Sequence, residues 1–280
     1  MKIYKSKNRK IYAILVSMFI LSLLFGFNSL IYNENTDIIL RVSAVEIGVT
    51  DIPTAIDFYC GKLGFKIDEQ SPSKVKLFSN DISLFLNKVA HQHTVQYNEE
   101  SQTILVLQTN NLDSAVQVYR NKEIEIVEGK TENGVGYSIK FMDPFSNVIS
   151  LLEQSKFPTD KFTEPKIYNV GYYVPDLDQA KNFYCDQLNF IVRTTKYLPA
   201  LPLNHPDSTF AFMLHERDVM STTLTLEDTK VVIVFSTTEL NQFIKKLNNY
   251  SIQIITNDLK IDNVIFIKDP FGNIIKIVQL

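Results

Sequence analysis

Glu46 is the residue whose type and position first suggest chemistry. It lies in the β-branched segment 40–50, where alternation places it on one strand face with Ala44 and Gly48 and places the aliphatic residues on the other. If the aliphatic face covers a helix, the Glu46 carboxylate enters a site, where it can bind a cation or act as a general base. The alternative is a rim glutamate that is paired or solvated.

A second segment of the same kind contains Asn169 and Tyr173, which share a face with Gly171. An amide and a phenol there would be hydrogen-bonding groups in a pocket, and Lys276 could hold an anionic ligand beside them. The alternative is that these are ordinary half-buried strand residues.

The histidines give weaker signals. His91 and His93 lie on one face of an extended segment, and this spacing would allow both to bind one metal ion. No carboxylate or cysteine partner is evident, and an exposed loop explains the two histidines as well. His205 falls in a proline-bearing insert, and the run 215–218 (His-Glu-Arg-Asp) is predicted to be a solvated turn. No nucleophile elbow, phosphate loop or dinucleotide fingerprint is present.

An internal repeat determines which elements position these residues. The segment 49–65 reappears as 174–190 with eight of seventeen positions identical, and the turn sequence Asp-Pro-Phe-Ser/Gly-Asn occurs at 143–147 and 269–273. Each half carries one cysteine at equivalent positions, Cys60 and Cys185, which are predicted to be unpaired packing residues.

The periodicity within each half predicts two βαβββ units. In the first unit Asp51 is a plausible helix N-cap, and apolar residues follow at one-face spacing. In the third unit strands are predicted at 189–197, 208–214 and 221–226, with the irregular insert 196–207 interrupting them as a possible lid. In the fourth unit strands are predicted at 230–236, 251–256, 263–268 and 273–279.

These helix and turn motifs, repeated in register over residues 40–280, resemble the vicinal oxygen chelate superfamily of glyoxalases, bleomycin-resistance proteins and extradiol dioxygenases. The resemblance implies an α+β fold of four tandem βαβββ units, in two modules that each form a cupped eight-stranded mixed β-sheet flanked by helices. The modules are predicted at 40–153 and 166–280, joined by a linker at 154–165. The cup is the implied site, where a divalent metal chelates two substrate oxygens.

The metal site implied by the resemblance lacks its ligands here. Its positions are occupied by Ala44, Asn169, Ser150 and Lys276, with Ile104 and Val231 near the matching places of the second and fourth units. Aliphatic and hydroxyl side chains are not the donors that zinc, iron or manganese require, and an ammonium repels a cation. The extradiol set would fall on Asn169, near Val231 and on Lys276, so that chemistry is predicted to be absent.

The N-terminal region predicts export. Residues 11–32 contain no charged side chain, a length typical of a bilayer-spanning helix, and they follow a basic tip, residues 1–10, that the positive-inside rule keeps in the cytoplasm. A membrane anchor with the body on the extracytoplasmic side is therefore predicted, with secretion after signal cleavage as the alternative. The tip holds five cations, so the rest of this chain of net charge −3 carries −8, which argues against nucleic-acid binding.

The prediction for function is a cup that binds a small organic molecule without the standard metal, and no cofactor is assigned. One alternative is a metal-dependent lyase or dioxygenase with relocated ligands, for example Glu46 with a histidine from elsewhere. Another is a structural or partner-binding module whose cups are filled by their own side chains.

Overall fold

A computed structural model describes residues 38–280 except 80–81, 94–101, 158–160, 163–164, 197–198, 205–209, 211 and 256–262. The predicted basic tip and anchor, residues 1–32, and His205 lie outside the described residues. No helix in the described part of the chain has the length and apolar composition needed to cross a bilayer.

Fifteen described strands form two mixed sheets, which we call sheet I and sheet II. Sheet I contains, in spatial order, β14 (Val264–Lys268), β15 (Ile274–Gln279), β13 (Val231–Thr237), β1 (Arg41–Val49), β4 (Ser83–Lys88), β3 (Lys74–Leu77) and β2 (Ile67–Gln70). Sheet II contains β10 (Ile191–Val192), β11 (Ala200–Asn204), β12 (Phe212–Glu216), β9 (Lys166–Val174), β5 (Thr103–Thr109), β8 (Val148–Glu153), β7 (Tyr137–Met142) and β6 (Glu125–Glu132).

Each sheet combines one unit from each half of the chain. In sheet I, β1 of the first unit pairs antiparallel with β13 of the fourth, and in sheet II, β5 of the second unit pairs antiparallel with β9 of the third. The α+β class and the four units are confirmed, but the two units of one half do not share a sheet. The predicted grouping of Asn169 with Val231 and Lys276 is therefore wrong, because Asn169 lies in sheet II and the other two in sheet I.

Four described helices pack against the sheets: α1 (Ile52–Ile56, continued as a π-helical turn over Asp57–Lys62), α2 (Leu112–Asn121), α3 (Leu177–Lys181, continued likewise over Asn182–Gln187) and α4 (Leu240–Asn249). The predicted cap is confirmed, since the Asp51 carboxylate accepts a hydrogen bond from the Thr54 backbone N–H at 2.9 Å. Asp176 caps α3 through the Gln179 N–H at 2.8 Å. The repeat thus specifies the same helix start twice.

One hydrophobic core joins both sheets. The aliphatic face of β1 is fully buried together with Ala55 and Tyr59 of the first helix, as the alternation predicts. On the other side of the repeat, Phe235 of β13 packs against Phe190 and Phe212, with ring centroids 5.4 and 5.5 Å apart. Because aromatic contacts of this kind cross from sheet I to sheet II, the two sheets form one cooperative body.

The two Asp-Pro-Phe turns contain matching buried carboxylates. Asp143 accepts hydrogen bonds from the backbone N–H groups two and four residues later and from the Tyr59 hydroxyl at 2.7 Å. Asp269 does the same, with the Tyr184 hydroxyl at 3.0 Å. Burial raises the pKa of Asp143 and raises the pKa of Asp269 to about 6, against the hydrogen bonds, which favour the charged form.

The backbone of both turns passes through the left-handed region one residue before the asparagine. Gly272 has φ +86°, and Ser146, at the equivalent place, has φ +67°. A Cβ at Gly272 would lie 2.5 Å from the Thr222 carbonyl oxygen, so the second turn requires glycine for space as well as for conformation.

The third unit differs from the prediction in its strands. Residues 200–204, assigned to the irregular insert, form β11, and the predicted strand at 221–226 is a loop. Pro202 is compatible with β11 because its nitrogen faces the position just past the end of the two-residue strand β10. At that position the Arg193 N–H donates to the Pro202 carbonyl at 2.9 Å, and no N–H from residue 202 is required. In the fourth unit a strand was predicted at 251–256, and the described residues 251–255 contribute only an isolated bridge at Ile254, so sheet I has seven described strands.

Candidate functional site

The sheet face that carries Ala44, Glu46 and Lys276 is here named face I. Register places Lys276 beside Val234, and Val234 opposite Ala44, so the Lys276 ammonium reaches the Glu46 carboxylate on the same face. Its Nζ lies 2.8 and 2.9 Å from the two carboxylate oxygens, and the two side chains are only 12% and 18% exposed. Residues 230 positions apart thus form a largely buried, charge-assisted pair.

A second lysine completes the arrangement on face I. Lys74 of β3 places its Nζ 3.7 Å from Glu46 Oε1 and 3.9 Å from the centre of the Phe85 ring. The Glu46 carboxylate therefore lies between two ammonium groups, and the surrounding face is filled by aromatic rings and lysine stems.

A metal does not fit face I. The only carboxylate in the row of β1 side chains is neutralised by Lys276, and Ala44 stands at the position of a first-strand ligand. Among the described residues there is no group of three or more His, Cys, Asp or Glu side chains that could hold a metal ion. An ammonium thus occupies the place in which a cation would meet Glu46.

The matching face of sheet II, named face II, carries Val106, Ser150 and Asn169. Val106 lies between the other two, paired with Asn169 of β9 on one side and with Ser150 of β8 on the other. Asn169 is 9% exposed, and its buried Oδ1 has no hydrogen-bond partner in the part of the chain that the structure describes. An unsatisfied buried amide costs about 1–3 kcal/mol, so this one requires an explanation.

A second unsatisfied amide lies on the same face. Asn204 of β11 also has a buried Oδ1 that meets no partner among the described residues. Alternation places Asn204 with Pro202, which pairs with Met213, and Met213 pairs with Gly171 of β9. Both amides therefore face the same side of sheet II, and rotation of either side chain can present its oxygen or its N–H groups.

The other end of β9 carries an aromatic and cationic cluster. The Tyr173 ring has Lys140 Nζ at 5.3 Å and the Arg217 guanidinium at 4.9 Å from its centre, and the His215 ring lies 5.9 Å away. Lys140 is paired with Glu128 at 2.7 Å. Burial, and then the charge of Lys140, lowers the pKa of His215 to about 4, so the imidazole is neutral at pH 7.

Between these ends the floor of face II is apolar. Ile104, Val106 and Leu152 form a small buried cluster against which Tyr173 packs. Gly171 leaves the centre of β9 without a side chain, and it must be glycine because a Cβ there would overlap the Met213 carbonyl oxygen. Asn169, Gly171 and Tyr173 therefore follow one another on this face of β9.

The superfamily-type ligand positions can now be assigned by register. They fall on Ala44, Val234 and Lys276 in sheet I and on Asn169, Val106 and Ser150 in sheet II. The matching places in the fourth and second units are therefore Val234 and Val106, rather than Val231 and Ile104 as predicted. Neither set provides the imidazole, carboxylate or thiolate donors of a transition-metal site.

A separate cavity of about 40 Å³ lies between the two Asp-Pro-Phe turns, lined among others by Asn147, Asn273 and Lys230. It has room for roughly two or three waters. The Lys230 ammonium donates to the carbonyl oxygens of Thr225 and Asp228, and burial lowers its pKa to about 8.

The five predicted pocket residues lie in two groups, so Lys276 is not beside Asn169 and Tyr173 as predicted. Glu46 and Lys276 bind each other on face I, and Asn169, Tyr173 and Ser150 share face II. Of the histidines, His91 lies 4.0 Å from Asp228 at the surface.

Sequence reasoning missed three face II residues. His215 and Arg217 were assigned to a solvated turn, but His215 lies in β12. Lys140 was not considered. The sequence did contain a signal for Lys140, because it alternates with the apolar residues Ile139 and Phe141 in β7 and so lies on the opposite face from them.

Comparison with known proteins agrees with this geometry. The structure is similar to glyoxalase I from Zea mays, with a TM-score of 0.62, 14% identity and coverage of 87% of this chain and 93% of that one. It is also similar to the CppA protein from Streptococcus pneumoniae TIGR4, with a TM-score of 0.51, 11% identity and coverage of 85% and 98%. At such identities the likeness shows the fold alone. No curated protein sequence matches the chain.

A family model matches residues 41–151 and again residues 166–277, which together include most of the chain and both repeats. The chain therefore belongs to the Glyoxalase/Bleomycin resistance protein/Dioxygenase superfamily.

Proposed function

We propose that this protein binds a small organic molecule on face II without the standard metal centre of its superfamily. The observation that carries the proposal is Asn169, a 91% buried amide with no partner for its oxygen in the described structure, at a superfamily ligand position. A buried polar group is retained against its cost where it meets a ligand. Asn204 supplies the same signal on the neighbouring edge of the face.

Face I supports a structural role instead. Its one central carboxylate is satisfied by Lys276 and Lys74, and Ala44, Val232 and Val234 around it are buried by their neighbours. The ion pair favours the structural alternative at the centre of face I. Asn87 of β4, which lies opposite Gly48 on face I, also has a buried Oδ1 without a partner among the described residues, so unsatisfied amides occur on both faces.

A saturation-transfer NMR screen of the full-length chain against a mixed library of small neutral, anionic and cationic molecules tests the binding role. We expect a set of hits that disappears in Asn169→Leu, which exchanges the amide for an apolar side chain of similar volume. Lys74→Gln on face I is the matched control and should keep the hits. A library with no Asn169-dependent hit would refute the binding role.

The metal-dependent alternative predicts a different result. Calorimetric titration of the chelator-treated protein with Zn²⁺, Ni²⁺ and Mn²⁺ should show no stoichiometric tight site that depends on face residues, because neither row has suitable donors. A tight site that Glu46→Gln or Asn169→Leu abolishes would overturn the metal-free proposal. It would favour a lyase or dioxygenase with relocated ligands.

We propose further that the body acts on the extracytoplasmic side of a membrane, held by residues 11–32. The uncharged run of 22 residues after a basic tip supports this. Cell fractionation combined with protease accessibility of intact cells should place the body in the membrane fraction and outside the cytoplasm. Mass spectrometry of the N-terminus distinguishes an anchor from a cleaved signal, and an intact, protease-protected cytosolic protein would contradict the proposal.

A further inference from the structure

We infer that the cavity between the two Asp-Pro-Phe turns binds two adjacent hydroxyl groups of a small neutral polyol. Asn169 and Asn204, which carry the function proposed above, do not line this cavity, so the inference is independent of that function. It follows from the polar groups at the cavity wall, from the charges near them and from the size of the space.

The Asn147 amide has one polar atom left to offer to the cavity that it lines. Asn147 is 4% exposed, and its Nδ2 donates to the Gly48 carbonyl oxygen at 3.2 Å and to the Asp143 carboxylate at 2.9 Å. Because both partners are acceptors, the orientation of the amide is fixed and both of its N–H groups are used. Its Oδ1 has no partner among the described residues, so a group bound beside it is expected to donate a hydrogen bond.

Three more polar side chains at the wall make no hydrogen bond to the residues that the structure describes. They are the Thr103 and Ser146 hydroxyls and the Gln102 amide, and all three residues are partly buried. Each of these groups can donate and accept, and so can an alcohol O–H. A ligand with two adjacent hydroxyls can therefore donate to Asn147 with one and pair with Thr103 and Ser146 through both.

Charges of both signs near the wall disfavour a charged ligand. Lys230 lines the cavity, and its ammonium is already bound to two backbone carbonyl oxygens. The Asp143 carboxylate lies behind the Asn147 amide, to which it is hydrogen-bonded. A cation would be repelled by Lys230 and an anion by Asp143, so a neutral ligand has the lowest electrostatic cost.

The space and its apolar groups fit the carbon chain of a short polyol. A volume of about 40 Å³ has room for roughly two or three waters, which two hydroxyl groups on adjacent carbons can replace. A hydroxyl that reproduces the hydrogen bonds of a displaced water keeps their contribution and releases the water. Val148, Val231 and Ile274 also line the cavity, so the C–H groups of the ligand bury apolar surface in addition.

Methyl NMR of the full-length chain, labelled at Ile, Leu and Val, tests this assignment with 1,2-propanediol as the probe. We expect saturable shifts at Val148, Val231 and Ile274, which line the cavity. The analogues 1-propanol, which lacks the second hydroxyl, and 1,3-propanediol, whose hydroxyls are not adjacent, should bind roughly fivefold more weakly, the effect of about one hydrogen bond. The anion 2,3-dihydroxypropanoate and the cation of 3-aminopropane-1,2-diol keep the adjacent hydroxyls and add a charge, so both should also bind more weakly than 1,2-propanediol.

A double variant that leaves Asn147 and its turn bonds in place locates the diol. Thr103→Val/Ser146→Ala removes two hydroxyls from the wall and should weaken 1,2-propanediol roughly fivefold while 1-propanol is unchanged. Ser83→Ala removes a hydroxyl from face I, where β4 pairs with β1, and should change neither affinity. Circular dichroism and the melting temperature establish that each variant is folded.

Four results would refute the inference. They are equal binding of 1-propanol and 1,2-propanediol, tighter binding of either charged diol, full diol affinity in the folded double variant, and no saturable shift at the cavity methyl groups. Shifts confined to Val106 would place the diol on face II and count against the cavity as well. The Asn169-dependent hits of the saturation-transfer screen are a separate measurement, so either proposal can fail without the other.

Discussion

Replacement of Lys276 by methionine would leave the Glu46 carboxylate buried without its closest partner. Removal of one member of a buried ion pair typically costs about 3–5 kcal/mol. Glu46 is 12% exposed and keeps Lys74 at 3.7 Å, so part of the interaction survives. We therefore expect Lys276→Met to lower the free energy of unfolding by about 2–3 kcal/mol, or the melting temperature by about 5–10 °C for a body of this size.

Urea denaturation at pH 7 measures this loss, and the double variant Glu46→Leu/Lys276→Met tests its cause. Removal of both charges should bring the free energy of unfolding back to within about 1 kcal/mol of the wild type, since no uncompensated charge remains. Lys130→Met is the control, because its pair with Asp113 is exposed and should contribute less than about 1 kcal/mol. A loss in Lys276→Met as small as in Lys130→Met, or a double variant less stable than the single one, would refute the buried-pair interpretation.

Three further predictions follow from other buried groups. Asn169→Leu should raise the free energy of unfolding by about 1–2 kcal/mol in urea denaturation, since it removes an unsatisfied amide, and a destabilised variant would indicate that Asn169 has a structural partner. The raised pKa of Asp269, about 6 against about 3.9 when unfolded, means that the folded state binds the proton more tightly. The stability of the wild type relative to Asp269→Asn should therefore fall by about 2 kcal/mol as the pH rises from 4 to 7. A flat or rising difference would show that hydrogen bonds outweigh burial. Gly272→Ser should cost about 2 kcal/mol or more because of its φ of +86° and the 2.5 Å approach to Thr222, whereas Ser146→Gly should be neutral or stabilising, and equal effects in thermal melts would contradict this.

The unit structure could be predicted from sequence because its signals are local. The Asp51 cap, the apolar stripe of the first helix and the proline-containing turns each specify conformation within a few residues, and the repeat doubles every signal. The α+β class follows from the order of these elements. Side-chain alternation likewise predicted which face of β1 carries Glu46 and which face of β9 carries Asn169.

The pairing of units could not be predicted, because it depends on contacts between distant segments. β1 and β13 are both buried on both faces, and their sequences are nearly continuous apolar runs. Neither sequence therefore indicates which strand it pairs with. Glu46 and Lys276 are 230 residues apart, and their contact exists only because the first and fourth units share a sheet. The strand β11 was missed because proline argues against a strand unless its missing N–H faces an unpaired position.

The composition of face II was only partly predictable for the same reason. Asn169, Ser150 and Tyr173 came from strand alternation and from the resemblance, which both refer to a residue's own segment. Lys140 of the second unit and Arg217 of the third unit both contact Tyr173. The pairing of these two units in one sheet depends on tertiary contacts, which the sequence of either segment does not show. His215 was assigned wrongly because the charged residues after it are typical of a turn, although β12 continues to Glu216.

Each sheet is built from one unit of each half, and this affects how the chain can be cut or divided. Neither half contains a complete sheet, so the chain resembles a heterodimer whose two subunits are covalently joined. A backbone cut between the halves should leave two fragments that remain associated through strand pairing. A half produced alone would expose the open edges of β1 and β5 and would complete itself by recruiting a second copy, in the manner of domain swapping.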